Sequence, residues 1–279
     1  MTKSDITYQE KLNELRLDIS HPKSQGVNFV LLEGDSDIRL FRKFFDLDKC
    51  KVENIPGGNP KLEECVDTLV NIYPLIIGIR DSDFLQIINP EYAKRNMFLT
   101  DQHDIETTML NFKPVLNALV FEYSLKKEDE HEQLKNQLID IILSISCLKL
   151  INERDSIGLN FSPGYQDLVY FANSSFDLEQ YITRVLGKSE GATIIDIQSI
   201  IQMVNDVRET NPEKLQITNG HDLLNIFAKY FREIEGRNGI KGEQLETSLR
   251  MVFTKEMFKE TKLYGRLNEW QKINATELF

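Results

Sequence analysis

Residues 27–45 read VNFVLLEGDSDIRLFRKFF, and the fold follows from how that stretch is parsed. Val27, Phe29, Val30, Leu31 and Leu32 make an apolar run too short to cross a bilayer and rich in strand formers. It stops at Glu33-Gly34-Asp35-Ser36-Asp37, where Asp35 and Ser36 can each cap a helix. Ile38, Leu40, Phe41, Phe44 and Phe45 then recur at near-helical spacing. The order is strand, tight glycine turn, helix, with Glu33 at the carboxyl end of the strand and Asp37 in the first helical turn. Ligands collect at that edge of an open α/β sheet. Three carboxylates between residues 33 and 37 repel one another unless water or a cation screens them.

The same grammar repeats downstream. Lys51–Pro56 reads as a second strand, Gly57-Gly58-Asn59-Pro60-Lys61 as a sharp turn, and Leu62, Val66, Leu69 and Val70 as the face of a helix. Pro74–Ile79 is a near-continuous apolar run, as in a strand buried on both faces, and it stops at Arg80-Asp81-Ser82-Asp83-Phe84. Met97–Thr100 is a fourth strand running into Asp101-Gln102-His103-Asp104-Ile105-Glu106, with a helix from about Thr107. Upstream, residues 1–20 predict a helix with Tyr8, Leu12, Leu15 and Leu17 as its apolar stripe, and residues 21–26 a loop. Alternating strands and helices predict an α/β fold, a mostly parallel sheet flanked by helices. Later residues change character: Leu134, Leu138, Ile141, Ile142 and Ile145 mark a long amphipathic helix. Further helices are expected over 178–186, 194–207, 222–235, 242–253 and 258–273. The expected plan is an α/β domain over 1–120, with its amino-terminal helix, and a mainly α-helical domain over 121–279.

Composition sets bounds. The chain has 279 residues, 41 % hydrophobic and 28 % charged, ordinary for a globular protein with a substantial core. A net charge of −11 argues against a protein that coats nucleic acid, but not against a nuclease whose acidic site works through metal. Cys50, Cys65 and Cys147 lack zinc or CxxC spacing, which fits a reducing cytoplasm. The polar start is no signal peptide, and no apolar run approaches the ~18 residues of a bilayer span. A soluble, cytoplasmic protein with no membrane contact is expected.

Three strand ends finish in acids: Glu33 with Asp37, Asp81 with Asp83, and Asp104 with Glu106. Neighbouring strands lie about 4.8 Å apart, so such side chains can converge. Asp81 and Asp83 share a side if that segment stays extended. Carboxylates gathered this way need a counter-charge, and hard cations such as Mg²⁺ or Mn²⁺ supply it. Any one acid alone is more often a cap or a solvated loop residue, and Asp35, Asp101 and Asp104 fit that description. Acids at three successive strand ends are harder to explain so. A phosphorylated receiver domain fits worse, because no later strand offers its lysine. A haloacid-dehalogenase phosphatase fits worse too, because its DxD follows the first strand.

EGxxD after one strand and DxD after a later one resemble the TOPRIM (topoisomerase–primase) domain. The wider set of FVLLEGDSDIRLFRKFF, GGNPK, IIGIRDSDF, LTDQHDIETTML, NGHDLLNIFAKYF and FKETKLYGRLNEW resembles the TOPRIM nucleases that accompany ABC-type (AAA) ATPases in bacterial anti-phage systems. These are relatives of the overcoming-lysogenization-defect nucleases. The resemblance leaves much of 113–215 unmatched. It implies a nuclease effector, held inactive by an ATPase partner, with transfer RNA among its targets. It also implies Glu33 as the essential acid, in metal or proton chemistry, Asp81 and Asp83 as Mg²⁺ ligands, and Asp37 and Glu106 completing the shell. A basic residue near the scissile phosphate is expected, Lys61 first and Arg80 second. Acids 33, 81, 83 and 106 are expected to meet around one cation.

Other residues carry blander expectations. His221 and Asp222 read as a helix start, His103 as a loop histidine, and Phe258, Tyr264 and Trp270 as a helix anchored on the core. Basic residues outnumber acids from Lys229 to Lys272, a face for RNA or a partner, or one merely solvated. A homodimer would enlarge the grip on a structured RNA. Residues alone do not choose RNA over DNA, and a non-catalytic TOPRIM module that regulates an ATPase is the rival of another class.

Overall fold

The apolar run before Glu33 is a central strand, Asn28–Leu32, buried at every position. The computed structural model that contains it describes residues 6–279, so the expected helical start at residues 1–5 lies outside the described residues. In chain order the elements of the first part are α1 (Tyr8–Ser20), β1 (Asn28–Leu32), α2 (Asp35–Phe41), β2 (Cys50–Asn54), α3 (Gly58–Leu69), β3 (Ile76–Arg80), α4 (Leu85–Ile88), β4 (Met97–Leu99) and α5 (Ile105–Leu110). There follow α6 (Lys113–Tyr123), α7 (Glu128–Arg154), β5 (Val169–Tyr170), β6 (Ser175–Phe176), α8 (Leu178–Leu186), α9 (Ile197–Glu209) and α10 (Lys214–Ile217). The last four are α11 (Gly220–Glu233), α12 (Gly242–Val252), α13 (Lys255–Lys259) and α14 (Lys262–Ile273).

The protein is α/β, with a four-stranded sheet in the order β2-β1-β3-β4, flanked by helices, and a helical carboxyl-terminal region. All three strand pairings are parallel, and Leu31 of β1 lies opposite Glu53 on one side and Gly78 on the other. Parallel strands put all their carboxyl ends on one rim. The residues just past β1 and β3, Glu33 and Asp81, therefore leave neighbouring strands at that rim.

Contacts cluster into two units. The sheet unit comprises the described residues up to Ser82, with Glu91–Asp101 and Thr254–Phe279; the helical unit comprises Asp83–Pro90 and Gln102–Phe253. A single boundary near residue 120 is thus not how the chain divides, because its last segment belongs with the sheet. The reason is local: Asp101, past β4, accepts hydrogen bonds from the backbone of Lys262 (2.6 Å) and Leu263 (2.8 Å), capping α14. Trp270 Nε1 donates to Asn96 Oδ1 at 3.0 Å, and Phe258 stacks on Phe44 with centroids 4.4 Å apart. The expected carboxyl-terminal anchor is present.

In the sheet unit α3 packs on β1 and β3, and α2 on β2. Leu12 and Leu15 of α1 join that core with Leu62, Val66 and Leu69 of α3. Leu17 does not: it is 76 % exposed, and Ile19 completes the stripe instead. In the helical unit Leu134, Leu138, Ile141, Ile142 and Ile145 are buried along α7, as the periodicity predicts. Among the described residues no helix is long and apolar enough to cross a membrane.

Candidate functional site

Glu33 is half-buried where β1 gives way to α2. Gly34 caps that helix, and its N–H donates to Asp37 Oδ2 at 3.0 Å, so Asp37 folds back toward the strand end. Asp35 accepts from Asn54 Nδ2 at 3.1 Å, tying α2 to the end of β2. Opposite Glu33 runs the glycine turn. Gly57 and Gly58 both have left-handed φ, +106° and +77°, where other residues are strained. A Cβ on Gly58 would stand 3.5 Å from Glu33 Oε1, so the first residue of α3 abuts this carboxylate. The positive end of a helix dipole favours an anion there.

Asp81, also half-buried, follows β3; its carbonyl accepts from Arg80 Nε at 3.0 Å, and the next residue's N–H donates to Thr100 Oγ1 at 2.9 Å. Arg80 turns its guanidinium to Glu63 at 2.7 Å. Glu63 also receives Lys94 Nζ (2.6 Å) and the Tyr92 hydroxyl (2.6 Å). Burial alone would raise the Glu63 carboxyl, but hydrogen bonds from Lys94, Tyr92 and Arg80 outweigh it and hold the group below the ordinary 4.5. The folded state therefore binds this proton less readily than the unfolded chain. The resulting stability is full above the unfolded value and is lost as pH falls through the lower, folded one. Glu63→Gln should flatten the acid limb of a stability-versus-pH curve below about pH 4.5; an unchanged limb in denaturant titrations would count against this linkage. Lys61, half exposed, pairs with Glu64 at 2.6 Å and lies 4.7 Å from the Tyr8 ring centroid.

Asp83 and Glu106 belong to the helical unit. Asp83 does not continue the extended backbone from Asp81: its φ is +46°, so the expected strand-like alternation fails there. That turn is pinned by its N–H, which donates to the His103 carbonyl at 2.6 Å. His103 lies in the loop before α5, as expected, and is 3 % exposed. Its Nε2 lies 4.0 Å from Asp83 Oδ1, and its Nδ1 has no hydrogen-bond partner among the described residues. Glu106 stands buried in the first turn of α5. Asp104 caps that helix, accepting from Thr107 N and Thr107 Oγ1 (2.8 Å each), and it also accepts from Gly220 N at 2.5 Å.

The NGHD motif is structural. Asn219 caps α11 by accepting from Asp222 N at 3.1 Å, Asp222 pairs with Lys149, and Tyr165 donates its hydroxyl to Asp222 at 3.0 Å. Burial first, and then the Asp222 charge, push the Tyr165 phenol far up. His221 is exposed, 3.9 Å from Glu246. Part of the basic stretch is engaged within the fold: Lys229 binds Glu233, Arg232 the carbonyl of Ile240, Arg237 the carbonyl of Tyr123, and Arg250 binds Glu246. Several buried charges escaped the sequence reading, among them Lys11, Lys135 and Glu246. Lys11 is 6 % exposed and bridges Glu53 and Glu14, and its spacing four residues before Leu15 was the available signal.

Carboxylate oxygens suit a hard divalent cation. Among the described residues, however, no group of three or more His, Cys, Asp or Glu side chains stands together in a way that could hold one. No family model matches the chain, and no curated protein matches its sequence significantly.

Proposed function

We propose that this protein is a metal-dependent nuclease of the TOPRIM type, cleaving RNA phosphodiesters, with tRNA the favoured substrate. The single observation that carries the proposal is the exit of Glu33 and Asp81 from adjacent central strands at one rim of a parallel sheet. By the family resemblance Glu33, Asp37, Asp81, Asp83 and Glu106 would be the carboxylates that hold Mg²⁺ or Mn²⁺. When bound, such a cation neutralises charge gathering on the phosphate and activates a water or hydroxyl. Glu33 would take the proton or serve as a ligand. Lys61 is favoured over Arg80 as the basic residue at the scissile phosphate, because its ion pair with Glu64 is open to solvent whereas the pair of Arg80 with Glu63 is mostly buried. The chain also resembles the effector of the phage anti-restriction-induced (PARIS) defence system, which makes an ABC-type ATPase the proposed partner and a cytoplasmic homodimer the proposed working form.

A second reading, a non-catalytic TOPRIM module regulating an ATPase, draws on the lack of a closed carboxylate group among the described residues. Incubation of the full chain with total RNA and plasmid DNA, with Mg²⁺ or with a chelator, separates the readings. RNA loss only with the cation is expected. Loss of plasmid alone makes the protein a DNA nuclease of the overcoming-lysogenization-defect type. Survival of both substrates, with and without the ATPase, favours the non-catalytic module.

A further inference from the structure

A pocket of about 300 Å³ opens in the sheet unit beside Asn54, at the carboxyl end of β2. Asn54 pairs in register with Leu32, the residue before Glu33, so the pocket lies one strand over from that acid on the same rim. Its size is at the low end for small-molecule sites, about 300–1,000 Å³, and suits one flat ring system better than a whole nucleotide.

The wall chemistry narrows the occupant. Buried Lys11 is among the lining residues, and its ammonium is held by Glu53 Oε2 at 2.9 Å and Glu14 Oε2 at 3.3 Å, two residues that also line the pocket. An ammonium has three donors, and these contacts account for two. Glu53 gives one oxygen to Lys11, and among the described residues nothing else binds its side chain. Asn54 spends its amide N–H on Asp35 Oδ1, which leaves its carbonyl oxygen as an acceptor. Ile6 and Pro56 supply apolar surface. A phosphate would meet the carboxylates of Glu14, Asp35 and Glu53, and a cationic ligand would meet Lys11. A neutral ring carrying two adjacent donors next to an acceptor satisfies both kinds of wall. Guanine is such a ring: N1–H and N2–H₂ can face a carboxylate while O6 faces an ammonium. Adenine would turn the N1 lone pair toward that carboxylate instead.

We propose that this pocket takes a guanine base, and, resting on the nuclease reading above, that the base belongs to a nucleotide flanking the scissile phosphate. The test is an NMR titration of the full ¹⁵N-labelled chain with GMP, IMP and AMP, paired with sequencing of the ends left by cleavage. GMP is expected to shift the amides of Lys11, Glu53 and Asn54 saturably. IMP, lacking the 2-amino group, should bind more weakly, and AMP weakest. Glu53→Gln, which can still accept from Lys11, should weaken GMP roughly tenfold or more. Lys11→Met should weaken GMP as well, and unfolding midpoints of both variants check that the fold survives. Cleavage ends should be enriched in guanine, and Glu53→Gln should erase the enrichment. Absence of saturable GMP shifts, or equal binding of AMP, overturns the pocket whether or not the chain cuts anything. Ends without guanine enrichment from an active, GMP-binding chain overturn its role in the substrate. GMP binding by a chain that cleaves no nucleic acid upholds the guanine pocket and removes only the nuclease reading.

Discussion

Glu33→Gln is expected to lower nucleic-acid cleavage by roughly a hundred- to a thousandfold, while the unfolding midpoint moves by no more than about 2 °C. The two halves of that expectation rest on different observations. Glu33 is half-buried, so an isosteric amide opens no cavity and keeps its packing against the head of α3, where Gly58 approaches. The amide cannot carry the negative charge that a cation or a departing proton requires. Asp81→Asn should lose activity in the same way, because Asp81 leaves β3 on the same rim. Rates on total RNA in saturating Mg²⁺, set beside circular-dichroism melts, separate chemistry from folding. A Glu33→Gln protein that cuts like wild type and melts like wild type would exclude Glu33 from the chemistry.

Strands were readable where apolar runs end in punctuation. Residues 28–32 and 76–80 are bounded by glycine, proline or clustered acids, and both central strands fall where those boundaries place them. Acids were harder to read, because a carboxylate caps a helix and binds a cation with the same two oxygens. Asp101 and Asp104 were legible as possible caps, but the full set of groups each one serves was not. Asp104 caps its own helix through Thr107, whereas Asp101 caps α14 through Lys262 and Leu263, and Asp104 also takes the N–H of Gly220, partners far along the chain that local sequence does not reveal. Leu17 and Lys11 invert the usual rule, since the leucine faces solvent and the lysine is buried. A long aliphatic stem lets Lys11 line the core side while its ammonium finds Glu53. Either side of α7, residues 113–127 and 155–177 gave the weakest signal. Helix α6 buries Val115, Leu116, Leu119 and Val120 yet exposes Phe121, and β5 and β6 are only two residues each, too short for alternation to register.

Gly220→Ala is expected to destabilise the helical unit by about 2–3 kcal/mol, although alanine ordinarily stabilises a helix. Gly220 opens α11, and its φ is not left-handed, so backbone freedom is not what requires glycine there. The requirement is space. A Cβ would stand 2.5 Å from Asp104 Oδ1 and 2.5 Å from Glu106 Cβ. Asp104 cannot retreat cheaply: it is 3 % exposed and holds Thr107 through both backbone and hydroxyl. Moving α11 away instead would stretch the hydrogen bond from Gly220 N to Asp104 and leave a buried carboxylate short of a donor. The internal control is Gly265, in the middle of α14, where a Cβ would meet nothing within 4 Å. Gly265→Ala should stabilise by about 0.5–1 kcal/mol, the ordinary helix-propensity difference. Opposite signs from the same substitution, read as shifts in the denaturant midpoint at constant slope, are the signature of a glycine kept for contact. If Gly220→Ala raises the midpoint as Gly265→Ala does, then Asp104 and Glu106 are not wedged against α11, and the structural reading of the NGHD motif fails.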